Sequence, residues 1–100
     1  MIVSTELRNE VASIRLNGKF IFADHKAFRQ AVKESLATSC KTLEIDFAKV
    51  DYLDSSALGM LLLAREEASV AGQSIVLLNC QGTVGQILAL ANFQKLFTIR

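Results

Sequence analysis

The stretch IDFAKVDYLDSSALG, Ile45 to Gly59, changes its hydrophobic period partway along, and that change decides the fold. Leading into it, Leu43, Ile45 and Phe47 alternate with Thr42, Glu44 and Asp46, the two-residue period of a half-buried strand. The strand is expected to end at Phe47, with a short connection to Asp54-Ser55-Ser56. There the pattern turns helical over residues 55–71, and Gly72 stands where a C-terminal cap belongs. Asp54 is the expected N-cap, accepting from the backbone N–H of Ser56 or Ala57. Ser55 and Ser56 then occupy the first turn, at the positive end of the helix dipole.

A helix advances about 100° per residue. On that wheel Ala57, Leu58, Leu61, Ala64 and Ala68 fall on the side facing the sheet. Ser56, Gly59, Leu63, Glu66, Glu67 and Val70 fall on the outward side. Gly59 admits a close backbone approach, and Leu63 and Val70 add apolar surface, so this face suits docking. Arg65 projects among the buried positions and is expected to snorkel towards an edge. On residue physics alone the serines are cap residues first, because serine is favoured there. Scattered surface Leu and Val are also ordinary.

Working outward, residues 2–7 predict a first strand and Asn9-Glu10 a turn. Ala12, Ile14 and Leu16 alternate with Ser13, Arg15 and Asn17 as a second strand, which Asn17-Gly18 is expected to break. Asp24 is the expected N-cap of a helix over 24–37, with Phe28, Ala31, Val32, Ser35 and Leu36 at helical spacing. Ile75 to Leu78 is a short apolar run, as in a strand covered on both faces. A third helix is expected over 83–91, and a last short strand within 96–99. Two strands followed by alternating helix and strand predict an α/β domain. Its mixed sheet of four to five strands starts with an antiparallel pair and continues in parallel through helical crossovers.

One hundred residues make one domain, 1–100, with a modest core and little room for a deep substrate cavity. No Pro, linker or repeat interrupts it. Eleven basic and ten acidic residues are spread along the chain without an evident basic stripe, which argues against nucleic-acid and membrane-surface binding. Cys40 and Cys80 lack CxxC spacing or a histidine partner, so they read as buried apolar residues; no metal or cofactor is expected. MIVSTELRNE has no signal-peptide pattern, and the apolar run Ala57 to Ala64 is too short to span a bilayer. A cytoplasmic protein is therefore expected. A catalytic reading would pair Ser55 or Ser56 with His25. The G-x-S-x-G elbow is missing, however, and Gln81-Gly82-Thr83-Val84-Gly85 lacks the lysine of a phosphate-binding loop. The chain therefore reads as no enzyme.

LEIDFAKVDYLDSSALGMLLLA resembles the central signature of the STAS domain family, anti-sigma factor antagonist type. Gly18-Lys19-Phe20 followed by Ala23-Asp24-His25 resembles that family's glycine turn before its first helix, and Val84 to Phe97 its closing helix. The resemblance implies a STAS-like fold and maps the family's phosphoacceptor onto Ser56, with Asp54 as its acidic neighbour. Together with the outward face of the wheel, it gives an expected partner-binding set of Asp54, Ser55, Ser56, Gly59, Leu63 and Asp24. Two positions depart from the pattern: Ala57 replaces the commoner Gly, and Ile21 stands where many members carry Asp.

The partners the resemblance implies are a serine kinase of the anti-sigma type and a metal-dependent serine phosphatase. Unphosphorylated protein would bind its target, and phosphorylation would release it. The alternative is a non-switching accessory subunit of a transport complex, a role that other STAS domains serve.

Overall fold

Asn9 takes a left-handed backbone, φ 58°, and folds the chain between β1 (Ile2–Arg8) and β2 (Val11–Phe20). The two strands pair antiparallel, from Arg8 opposite Val11 to Ile2 opposite Asn17. The computed structural model describes residues 2–100, and side-chain surroundings from Ser4 onward. After β2 come α1 (His25–Leu36), β3 (Thr42–Leu53), α2 (Ser55–Val70), β4 (Ser74–Leu78), α3 (Gly82–Leu90) and β5 (Thr98–Ile99). The five strands form one sheet in sequence order, β1-β2-β3-β4-β5, parallel from β2 onward. This is the mixed α/β sheet that the element order implies.

Two expected strand ends are corrected. Asn17-Gly18 does not stop β2, which continues to Phe20, and β3 does not stop at Phe47 but runs to Leu53. The β2–β3 register shifts between Arg15 and Asn17 and again between Gly18 and Lys19, with Gly18 at φ 91°. A glycine there lets the strand bulge and carry on. Beyond Phe47 the buried positions of β3 are Val50 and Leu53, three residues apart. The two-residue alternation loses phase where the register shifts, so it hides the far half of the strand.

Ile14, Ile45 and Leu77 on adjacent strands share one core with Phe28 of α1, Leu61 of α2 and Leu88 of α3. Phe20 packs between Phe28 and Phe47, at ring-centroid distances of 4.7 and 6.4 Å. Ile75, Val76 and Leu77 are all buried, and since successive side chains point to opposite faces, β4 is covered on both, as its continuous apolar run implies. Ser13, Arg15, Glu44 and Asp46 alternate with the core positions and leave the other side of β2 and β3 polar.

The α2 wheel holds with one exchange: Met60 is buried, whereas Leu58 is only partly so. Arg65 is exposed, and its Nε donates to the Leu96 carbonyl at 2.7 Å, tying α2 to the C-terminal segment. Gly72, at φ 73°, follows the end of α2 and lets the Gln73 N–H reach the Ala68 carbonyl at 2.8 Å. The Gln73 side-chain amide donates to the carbonyls of Leu36 and Cys40, joining the end of α1 to the entry of β3. Leu96 lies outside the last strand, which is confined to Thr98–Ile99.

Two helical glycines have opposite surroundings. A Cβ on Gly85 would lie 2.9 Å from the Cys80 carbonyl oxygen, whereas one on Gly59 would meet nothing within 4 Å. Gly85→Ala should therefore destabilise the fold by about 1–3 kcal/mol through overpacking against backbone. Gly59→Ala should stabilise it by about 0.5–1 kcal/mol through helix propensity. Urea unfolding of the two variants checks both signs; equal midpoints would contradict the close approach at Gly85.

Candidate functional site

Asp54 is the hinge of the site. Its backbone is extended (φ −104°, ψ −179°), and its N–H donates to the Phe20 carbonyl at the end of β2. Its carboxylate uses both oxygens. Oδ1 accepts from the Ala57 N–H at 2.9 Å, the N-cap bond of α2 that the sequence anticipates. Oδ2 accepts from the Phe22 N–H at 3.2 Å. One residue thus caps the helix and holds the loop that leads to α1.

Asp24 reaches the same loop by another route. It precedes α1, as expected of an N-cap, but its side chain makes no cap bond there. Oδ2 instead accepts from the Ile21 N–H at 3.0 Å. The expected capping role is therefore corrected: one turn of 3₁₀ helix, Phe22–Asp24, precedes α1, and the carboxylate folds back across it. Consecutive N–H groups of Ile21 and Phe22 are taken by the carboxylates of Asp24 and Asp54. The loop bearing Ile21 is thus gathered against the start of α2 through backbone donors.

Around this junction Ser55 is exposed, Ser56 partly exposed and Ala57 fully buried. Ser56 therefore presents its side chain near the surface of a turn anchored by the residue after it. The outward face continues through exposed Gly59 and half-exposed Leu63 to Val70, which is 87% exposed. The wheel thus places Ser56, Gly59 and Leu63 as expected.

Sequence reasoning missed Phe22. It is 61% exposed, stacks on His25 at 4.6 Å, and contributes its own N–H to Asp54. The available signal was a phenylalanine in a short segment before a helix, with no apolar periodicity to bury it. His25 Nδ1 lies 2.9 Å from the Phe22 carbonyl, so this nitrogen is committed to the loop rather than to a serine hydroxyl. A second omission is a basic ridge: Lys26, Arg29 and Lys33 are all exposed on α1. They are dispersed along the chain but share one helix face, which corrects the expectation of no basic stripe.

Neither cysteine offers a reactive centre. Cys40 is buried as expected, whereas Cys80 is only part-buried; desolvation still pushes the Cys80 thiol up to about 11, with the negative charge of Asp46 adding to it. Among the described residues no group of three or more His, Cys, Asp or Glu is placed to hold a metal.

A five-stranded mixed sheet packed with helices, with a capped serine-bearing helix start after its central strand, defines an α/β domain built around one helix N-terminus. The family profile described as Mlab, STAS domain, matches residues 3–98. A STAS-domain containing protein of Pseudomonas aeruginosa (strain UCBPP-PA14) is 44% identical over 87 residues, covering 87% of this chain and 85% of that protein. The chain belongs to the STAS domain family. It shares its fold with anti-sigma factor antagonists. Unphosphorylated SpoIIAA superposes with a TM-score of 0.77 at 21% identity, covering 99% of this chain and 87% of that one. A putative anti-sigma factor antagonist of Thermotoga maritima gives 0.87 at 18% identity, covering 97% and 84%. A sulfate transporter family protein of Wolinella succinogenes has the same fold, with a TM-score of 0.77 at 16% identity over 90% of this chain and 73% of that one.

Asp54→Ala should destabilise the domain by about 1–2 kcal/mol, since it deletes the cap and frees the Phe22 N–H. Asp54→Asn should lose less, because an amide oxygen can still cap Ala57. Denaturant midpoints falling in the order wild type, Asn, Ala are the expected result.

For Cys80, a pKa raised from 9.0 to about 11 leaves the thiol protonated in the folded protein while the unfolded chain already ionises. Its contribution to stability is complete below pH 9 and is lost as pH rises towards about 11. Alkylation at pH 8 should run about tenfold slower than for an exposed thiol, because the smaller thiolate fraction is partly offset by the greater nucleophilicity of a higher-pKa thiolate. Equal rates would refute burial of this group.

Proposed function

We propose that this protein is a phosphorylation-controlled partner-switching regulator without catalysis of its own, and that Ser56 is its phosphoacceptor. The carrying observation is the part-exposed Ser56 on a helix turn pinned by Asp54, on the face of α2 that continues through exposed Gly59 and Leu63. Similarity to SpoIIAA, whose solved structures include both an unphosphorylated and a phosphorylated form, supports this reading at the level of the fold. The partner-binding set is Asp54, Ser55, Ser56, Gly59, Leu63 and Asp24. Asp24 and Asp54 serve by shaping the loop that presents Phe22.

The partners proposed are a serine kinase of the anti-sigma type and a metal-dependent serine phosphatase, in the cytoplasm. Among the described residues no helix is long and apolar enough to cross a membrane. A phosphate adds about −1.5 to −2 charges at neutral pH. At the N-terminus of α2 the helix dipole favours that charge, and Asp54 opposes it, so the fold stays intact. A partner seated over Ser56 and Leu63 would have to desolvate the dianion, which costs several kcal/mol by order of magnitude. Phosphorylation therefore releases the partner.

The transporter-family relative in fold and the Mlab description of the matched family favour a second reading, a constitutive subunit of a transport complex. Pull-downs with wild type, Ser56→Ala and Ser56→Asp, with phosphosite mapping, separate the two. The switch predicts a partner held by wild type and Ser56→Ala and lost by at least about tenfold with Ser56→Asp. Equal recovery by all three, without phosphate on Ser56, rejects it. Copurification with a transport ATPase, indifferent to Ser56→Asp, supports the second reading.

A further inference from the structure

Lys26, Arg29 and Lys33 follow one another at three- and four-residue spacing along α1, so they rise as a single ridge. None is engaged in an ion pair among the described residues. The pairs there join Arg8 and Arg15 to Glu6, Lys41 to Glu10, and Arg100 to Glu44. Glu34, the acidic residue on the same helix, is bonded by Gln30 at 2.7 Å. With His25, Gln30 and Glu67 of α2, the ridge borders an open groove of about 550 Å³. Glu67 is its one acidic wall. Arg29 and Glu67 also border a small depression floored by Val32, Met60 and Leu63, so the groove runs into the apolar outward face of α2.

We infer that the α1–α2 groove binds an acidic segment of a protein partner, its carboxylates along Lys26, Arg29 and Lys33 and an apolar side chain against Leu63. The charge is local: three cations outside any described ion pair, facing one carboxylate, on a domain whose net charge is only +1. Exposed ion pairs add little affinity singly, but an ordered row sets orientation and speeds encounter. An apolar anchor beside them gives the contact a desolvated centre. On α1 itself the outward residues between the cations are Ala27 and Gln30, so the ridge lacks the apolar flank of a membrane-surface helix. Exposed Phe22 and Leu63 lie on neighbouring elements, and comparison with vesicles separates the two occupants. The inference goes beyond the switch at Ser56 and requires no phosphate.

The test uses the isotope-labelled, unphosphorylated protein and a helical alanine-based peptide carrying three glutamates at matching spacing and one leucine. Binding that shifts the amide resonances of Arg29, Lys33, Leu63 and Glu67 is expected, weakening as salt is raised from about 50 to about 300 mM. The triple variant Lys26→Glu, Arg29→Glu, Lys33→Glu should keep its unfolding midpoint and lose about tenfold or more in affinity. A peptide with lysine in place of glutamate should not bind. The inference fails if the triple variant binds equally, if the shifts gather on the polar sheet side around Arg15 and Lys49, or if no binding occurs. Tighter binding to phosphatidylserine vesicles than to the peptide also overturns it. Because neither phosphate nor a natural partner enters the assay, its outcome is separate from that of the Ser56 experiment.

Discussion

Asp54 joins three parts of the molecule that sequence order keeps apart. Its N–H is bound by the end of β2, one carboxylate oxygen starts α2, and the other holds the loop entering α1. Charge-assisted bonds of this kind are stronger than neutral ones, and both oxygens are spent on backbone donors, one in the helix Asp54 caps and one in the loop before α1. The consequence is positional. With the start of α2 fixed against the end of β2, the Phe22 backbone is held at the cap of the helix that carries Ser56, although 34 positions separate the two residues. An aspartate suits this junction because it is short enough to cap its own helix and still has a second acceptor to offer.

Local chemistry accounts for how much could be read in advance. The cap at Asp54, the glycine after α2 and the outward face of Ser56, Gly59 and Leu63 depend on neighbours within about a turn, and each was legible. The far half of β3 was not, because its pairing with β2 passes through register shifts that scramble the two-residue period. Asp24 looked like a cap for α1 and turned out to bind the loop before it, a choice between two nearby donors that composition cannot make. Phe22 and the ridge on α1 were hidden differently. Phe22 is an apolar residue held outside by a backbone bond, and the ridge exists only once three separated cations are wound onto one helix.

Rigidity beneath the surface limits what a charge added at Ser56 could do. Ala57 and Leu61 are fully buried and lock α2 onto the core. A charge added at the rim therefore meets a helix that has little freedom to move. The N-terminal dipole would stabilise that charge in place, while the Asp54 carboxylate would raise its local cost, and the two effects oppose each other. A domain of this size with one continuous core has few alternative packings to switch between.

Recognition on such a scaffold has to divide its work between neighbouring surfaces. Apolar groups around Ser56 can carry affinity, but Phe22, Gly59 and Leu63 are too few and too generic to choose among partners. As a docking surface the α1 ridge would have the complementary property: exposed charges contribute weakly to affinity and strongly to orientation. Leu63 lies where the two meet, on the outward face of α2 and at the floor beside Arg29. A ligand reaching from the ridge to Ser56 would cross that residue. Charge at Ser56 would then act on a complex already aligned by α1, so that a purely local electrostatic change alters release without having to alter the choice of partner.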